Sequence, residues 1–366
     1  MKKTKYYDLS EILKHNAHYN IIFGERSNGK TYAVLKYGVE QYFKNGKHMG
    51  VIRRYQDDLR GKRAQAIFDA LVFNGEIEKL SKGKWTKIIY YSQRWYMARY
   101  DEELGKDIKD AEPFAYAFSL TTSEREKSTS YPKITTVLFD EFLTRDQYLA
   151  NEFTIFMNML STIVRQREDI KIFMLGNTVN KYCPYFQDMG LNHITKQKKG
   201  TIETYTYGDS KLKVAVEYSE FAQKSKPSDV YFAFDNPKLK MITRGEWEIA
   251  LYPHCPTDYI RENVEYTYYI DFDGNFLQCD IIAKDDLFFT FIHRKKESKD
   301  IEETSIVYSV KYDPRPNYRR KLTRPSSDIE NKLSYFFRIE KVYYEDNNIG
   351  EVVRNYLNWC ETDRLG

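Results

Sequence analysis

Two short runs in this chain carry the residue types that handle phosphate chemistry. The first is Gly24-Glu25-Arg26-Ser27-Asn28-Gly29-Lys30-Thr31, which matches GxxxxGK[ST]. Backbone N–H groups of such a loop, with the N-terminus of the helix behind it, wrap phosphate oxygens. Gly29 lets the backbone approach closely, and Lys30 brings a positive charge to the β- and γ-phosphates. The Thr31 hydroxyl is placed to bind Mg²⁺. Arg26 admits two roles, a phosphate contact or a brace within the loop. The second run is Ile134-Thr-Thr-Val-Leu-Phe-Asp140-Glu141, an apolar stretch that ends in two acids. Asp140 would hold Mg²⁺ through its water shell, and Glu141 would polarise the attacking water as general base. An acid directly after the metal-binding aspartate points to an ATPase of the additional-catalytic-glutamate type. It argues against a small-molecule kinase or a Ras-like GTPase. Asn177 follows another apolar run and either senses the γ-phosphate or satisfies a turn.

These residues need a scaffold, and the pattern around them supplies one. Residues 19–23, 48–53, 134–139 and 171–175 read as buried strands, and residues 31–44 and 151–166 read as helices. The segment 57–80 also has loosely helical spacing. Runs at 86–91, 94–100 and 114–120 have β character. Strands alternating with helices imply a parallel-rich sheet, an α/β P-loop domain. From residue 256 the chain turns β-rich, at 265–272, 276–282, 287–292 and 305–312, with a last helix at 348–360. The expected division is a P-loop ATPase domain over 1–216, a linker subdomain over 217–255, and a smaller β-rich α+β domain over 256–366.

The bulk composition narrows the class. With 366 residues and 42% hydrophobic content, the chain can bury a core in each of two domains. A net charge of +4 permits a polyanionic partner without requiring one. The four cysteines, Cys183, Cys255, Cys279 and Cys360, form no CxxC spacing, which fits thiols in a reducing cytoplasm. The N-terminal segment lacks an apolar core of the signal-peptide kind, and no apolar stretch approaches membrane-spanning length, so no membrane partner is expected.

Several segments together resemble the DNA-packaging ATPases of phi29-like phages, relatives of the large terminases. They are the P-loop with Tyr32-Ala33, Val51-Ile-Arg-Arg-Tyr55, Glu126-Lys-Ser-Thr-Ser-Tyr-Pro132, Val137-Leu-Phe-Asp-Glu-Phe142, Val164-Arg-Gln-Arg167 and Leu175-Gly-Asn177. All lie in order within residues 20–180. The resemblance implies a homo-oligomeric ring, a pentamer, that uses ATP and Mg²⁺ to drive double-stranded DNA into a prohead. It works in the host cytoplasm, docked at the portal. It also implies an arginine finger on the Val-Arg-Gln-Arg segment, with Arg165 first and Arg167 in reserve. Lys127 is a further residue expected to act in trans. Such a cation neutralises charge on the neighbouring subunit's phosphates.

A packaging motor holds DNA by its phosphates, because it cannot depend on sequence. The basic residues for that role are Arg53, Arg54, Arg60, Lys62, Arg63 and Arg145, with Arg54 and the 60–63 cluster preferred. Gln56 stands where the relatives have a basic residue. By the same resemblance the C-terminal domain is RNase H-like, with Ile270-Asp271-Phe-Asp273-Gly-Asn as its first hairpin. No convincing set of metal-binding acids follows; Asp280, Asp285 and Asp286 are the weak options. The resemblance to phi29-like packaging ATPases implies a vestigial, inactive nuclease, with Asp271 and Asp273 as turn acids. The loop 315–324, with Arg319, Arg320 and Lys321, either binds DNA or a structural packaging RNA, or decorates the surface. The competing readings are a terminase-like motor with a live nuclease, and a nucleotide-gated nucleic-acid-binding protein with little turnover.

Overall fold

A computed structural model describes residues 7–26, 28–126, 129–144, 148–149, 151–177, 183–191, 193–220, 252–295, 301 and 304–362. The chain divides into two compact units, residues 1–146 with 151–248, and residues 249–366 with 147–150. Most of the expected linker, 217–255, lies outside the described residues.

The first unit is built on a 10-stranded sheet. Its strands in chain order are β1 (Tyr19–Gly24), β2 (His48–Arg53), β3 (Lys87–Tyr91), β4 (Arg94–Asp101), β5 (Lys106–Lys109), β6 (Ala115–Ser119), β7 (Ile134–Asp140), β8 (Lys171–Asn177), β9 (Thr201–Thr206) and β10 (Lys213–Ser219). The spatial order is β3-β4-β6-β2-β7-β8-β1-β10-β9, with β5 paired to β4. The six strands from β6 to β10 are parallel neighbours. β8 lies between β1 and β7, so one strand separates the glycine loop's strand from the strand that ends in the acids.

Central strands buried on both faces need apolar residues at every position rather than at alternate ones. β1 is buried throughout its length, and so is β7 apart from one half-exposed residue. The helices are α1 (Ser10–Lys14), α2 (Lys30–Asn45), α3 (Gly61–Ala66), α4 (Asp69–Phe73), α5 (Glu76–Leu80), α6 (Glu152–Val164) and α7 (Pro184–Asp188). α2 buries Val34, Leu35 and Val39 against Met49, Val51, Leu138 and Phe173 of the sheet. Each such side chain contributes about 1.5–3 kcal/mol by leaving water.

In the first unit the structure differs from the sequence expectation at several points. The segment 57–80 is a short 3-10 turn and three short helices, interrupted at Phe68 and at Asn74-Gly75. Strands β5 and β9 have no matching apolar run, because β5 exposes most of its residues and β9 exposes two. β10 runs to Ser219, so the first sheet extends past residue 216.

The second unit has a six-stranded sheet, order β15-β14-β11-β12-β13-β16. Its strands are β11 (Val264–Phe272), β12 (Asn275–Lys284), β13 (Leu287–Arg294), β14 (Val307–Ser309), β15 (Tyr318–Arg319) and β16 (Val342–Tyr344). β11, β12 and β13 form an antiparallel meander, whereas β14 runs parallel to β11 and β15 parallel to β14. Helices α8 (Asp328–Arg338) and α9 (Asn347–Thr362) complete the unit. The Ser327 hydroxyl caps α8 by accepting from the Glu330 N–H at 3.3 Å, as the Ser-x-x-Glu pattern dictates. No helix among the described residues is long and apolar enough to cross a membrane.

Candidate active site

Five strands of the first sheet end in residues that meet at one edge: Gly24 of β1, Arg53 of β2, Asp140 of β7, Asn177 of β8 and Ser219 of β10. In parallel α/β sheets this carboxyl edge is where ligands bind. Gly24 is in register with both Asn177 and Ser219.

The glycine loop is shaped from both sides. A Cβ at Gly24 would lie 2.5 Å from the Ser219 carbonyl oxygen, so only glycine fits there. Gly29 caps α2 with φ 91°, a conformation that costs other residues dearly. Asn28, buried within the loop, donates from its side chain to the Ser219 hydroxyl at 3.1 Å. Ser219 in turn donates to the Phe23 carbonyl at 3.0 Å. Asn28 therefore braces the loop against β10. The Tyr7 N–H donates to the Asn28 carbonyl at 2.9 Å, which ties the N-terminal segment to the same loop. Arg26 is exposed, and Ser27 lies outside the described residues.

Lys30 is 5% exposed and donates to the Glu25 carbonyl at 2.6 Å. Burial pushes its ammonium down to about 8, against the opposing pull of Asp140, Glu25 and Glu217. Lys199 forms an ion pair with the Glu25 side chain. The Thr31 hydroxyl donates to Asp140 Oδ1 at 3.1 Å, so the two runs read from the sequence come together. Burial raises the Asp140 carboxyl, with the Arg53 guanidinium opposing. Arg53 spans the acid pair, Nη2 to Asp140 Oδ2 at 2.8 Å and Nη1 to Glu141 Oε2 at 2.7 Å. A hydroxyl and a carboxylate are the oxygen donors a hard divalent cation takes. A guanidinium lying across both acids is consistent with a pocket that favours positive charge. Among the described residues no group of three or more His, Cys, Asp or Glu forms a metal cluster. Glu141 has φ 61°, and its side chain remains 66% exposed at the mouth of the site.

The cations expected on DNA divide into three groups. Arg53 and Arg54 are corrections. Arg53 is committed to the two acids, and Arg54 is buried against Glu152, whose side chain is fully buried. The sequence showed two adjacent arginines at a strand end, and nothing local in it reveals that a helix about 100 positions later carries their partner. Arg60, Lys62 and Arg63 are exposed at the start of α3. Their pairs with Asp57 and Asp58 are surface pairs worth little. Arg145 lies outside the described residues, as does Lys127, the residue expected to act in trans.

Arg165 and Arg167 follow α6, a 13-residue helix whose first residue, Glu152, sits against the acid turn. At 1.5 Å per residue, α6 carries Arg165 roughly 20 Å away from that turn. Arg165 is exposed and donates to the Thr129 carbonyl at 3.0 Å. Arg167 is a correction as a reserve finger. Its guanidinium donates to the carbonyls of Tyr131, Pro132, Ile134, Ile163 and Val164 at 2.7–3.1 Å. It knots the strand leading into β7 to the end of α6.

In the second unit, the Asp280 carboxylate accepts from Thr267, Gln278 and Tyr259 and pairs with His293 at 3.0 Å. Those bonds hold its carboxyl below the usual range although burial opposes them. Asp273 and Asp285 occupy turns, with φ 51° at each. Asp271 lies on β11 beside Ser309. The basic loop is largely spent within its own unit. Arg315 pairs with Asp313, Arg319 pairs with buried Glu330, Arg320 lies over the Trp359 ring and Lys321 is 7% exposed.

Residues 1–204 match the family described as Podovirus DNA encapsidation protein (Gp16). The chain is 28% identical over 189 residues to the DNA packaging protein of Bacillus phage phi29, covering 51% of this chain and 50% of that protein. It is 29% identical over 183 residues to the DNA packaging protein of Bacillus phage B103, covering 49% and 50%. The aligned part thus spans about half the length of these curated relatives. Among solved structures, the fold is similar to the phi-28 gp11 DNA packaging motor, with TM-score 0.56 at 18% identity over 99% of this chain and 98% of that one. It is likewise similar to a chain of the bacteriophage phi-29 genome packaging motor assembly, with TM-score 0.57 at 17% identity over 96% and 97%.

Proposed function

The chain belongs to the podovirus DNA encapsidation protein family, and on that premise we propose that it is an ATP-driven motor that packages double-stranded DNA into a prohead. The observation that carries this reading is the 3.1 Å hydrogen bond from Thr31 to Asp140, which joins a phosphate loop to an acid pair. The position of β8 between β1 and β7 supports an ATPase of the additional-catalytic-glutamate type.

In this reading Lys30 and the loop's N–H groups bind the ATP phosphates, and Thr31 and Asp140 hold Mg²⁺. The ion, when bound, neutralises charge on the β- and γ-phosphates. Glu141 accepts a proton from the attacking water, and Asn177 faces the γ-phosphate from the tip of β8. Arg165 acts on the neighbouring subunit's nucleotide in a homopentameric ring docked at the portal in the host cytoplasm. Its distance along α6 from its own acid turn favours action in trans. Arg60, Lys62 and Arg63 are the DNA contacts. The ATPase chemistry belongs to the first unit, whose sheet runs on to Ser219. The strand order of 256–366, a meander continued by parallel β14 and β15 on one side and by parallel β16 on the other, supports an RNase H-like domain. Asp280's engagement with four side chains favours an inactive one.

Steady-state hydrolysis of Mg-ATP tests the reading. The wild-type chain should turn over ATP. Glu141→Gln should bind ATP with near wild-type affinity and lose turnover by about a thousandfold. Undiminished turnover in that variant would remove Glu141 from the reaction.

A further inference from the structure

The conformation of Glu141 is held from behind by a group that the ATPase reading does not use. Arg54 follows β2 and its side chain is 7% exposed. Its Nε and Nη2 grip the Glu152 carboxylate at 2.8 and 2.9 Å, a two-pronged ion pair. The Glu152 side chain, 0% exposed, also accepts from the Tyr185 hydroxyl at 2.8 Å. Tyr185 is wedged among Phe139, Phe142 and Phe156, so the anchor is seated in packed aromatic rings.

The remaining donors point elsewhere. Nη1 donates to the Glu141 carbonyl at 3.2 Å, and Nη2 also donates to the Phe142 carbonyl at 2.8 Å. The Glu141 carbonyl direction is set by that residue's own ψ, so fixing the oxygen fixes the rotation of the residue. Glu141 has φ 61°, a left-handed conformation that a side-chain-bearing residue adopts only when its surroundings hold it there. On the other side the Phe142 N–H donates to the Leu175 carbonyl at 3.1 Å. The peptide after Glu141 is thus pinned between a buried cation and the neighbouring strand. An ion pair serving only to join β2 to α6 would not need its guanidinium on these two carbonyls.

We propose that Arg54, seated on Glu152 and Tyr185, is a positioning residue that holds the Glu141 turn in the conformation the reaction uses. This rests on the reading of Glu141 as the base. It assigns to Arg54 a role on protein carbonyls rather than on DNA phosphates.

The test is steady-state Mg-ATP hydrolysis by the full chain, with a thermal midpoint for every variant. Removing one partner of a buried pair strands the other charge, but removing both leaves none. The double variant Arg54→Met/Glu152→Met strands neither charge of this pair and should therefore fold, with a midpoint lowered by the loss of partners at the Glu141 and Phe142 carbonyls and the Tyr185 hydroxyl. Its kcat should fall about a hundredfold, as a displacement of the order of 1 Å in a reacting group does. Its KM for ATP should stay within about twofold, because the glycine loop is untouched. Arg54→Lys keeps the charge without the fork and should lose at least about tenfold in kcat. Tyr185→Phe, which keeps the packing, should lose a few-fold. A folded double variant, or a folded Arg54→Lys, with wild-type kcat would overturn the proposal. So would a loss seen only in DNA stimulation with basal kcat intact, which would return Arg54 to the DNA. A wild-type chain with no Mg-dependent hydrolysis is a separate outcome that removes the ATPase reading and this proposal with it.

Discussion

At Lys30 burial and charge act in opposite directions, and burial prevails in the nucleotide-free protein. The ammonium sits at about 8, and ATP phosphates would restore it toward its ordinary value. Below pH 8 the lysine is already charged, so ATP binds without proton exchange. Above pH 8 binding must take up a proton, and affinity should fall by up to about tenfold per pH unit. Calorimetric titration of ATP at pH 8.8, in buffers of different ionisation enthalpy, checks this. A buffer-independent heat would show that Lys30 is charged before ATP arrives. That Gly24, Gly29, Lys30, Thr31, Asp140 and Glu141 gather at one sheet edge was legible in the sequence, because the two runs combine residue types at fixed spacing. Ser219 and Glu152 were not, since each acts through a contact made across the fold. Arg54 was misread for the same reason: an arginine at a strand end looks like a surface cation until its buried partner is known.

Among the elements, α6 runs from Glu152 at the acid turn to Arg165 past its other end. The two arginines that follow α6 should separate cleanly by experiment. Arg167→Ala removes side-chain bonds to five carbonyls and should destabilise the first unit by about 2 kcal/mol in a denaturant titration. Arg165→Ala removes one such bond from an exposed side chain. It should leave stability nearly unchanged while abolishing ATP turnover by the assembled ring. Equal stability losses, or turnover retained in Arg165→Ala, would contradict this assignment. The central strands were visible as mostly apolar runs, because they are buried along nearly their whole length. β10 was not, although it pairs directly with β1. Its glutamate and tyrosine interrupt the apolar pattern, and Glu217 finds its partner in Tyr7, far away in sequence.

For the whole molecule, the chain belongs to the podovirus DNA encapsidation protein family, and the motor proposed for it draws on each unit differently. The nucleotide motifs lie in the first unit. The second unit showed its three meander strands and its Asp-Gly hairpin turn in the sequence, whereas β15, β16 and α8 were not expected and its acids could be judged only from their partners. Asp280 is held by Thr267, Gln278, Tyr259 and His293, a structural network rather than an open metal site. A homo-oligomeric ring that couples ATP to DNA movement makes a demand that hydrolysis alone does not test. The direct measurement is the fraction of added double-stranded DNA that becomes protected from nuclease when proheads, this protein and Mg-ATP are combined. The account predicts protection by the wild-type protein, and none above background with Glu141→Gln or with ATP left out. Protection that persists in Glu141→Gln, or wild-type protein that hydrolyses ATP without protecting any DNA, would contradict it.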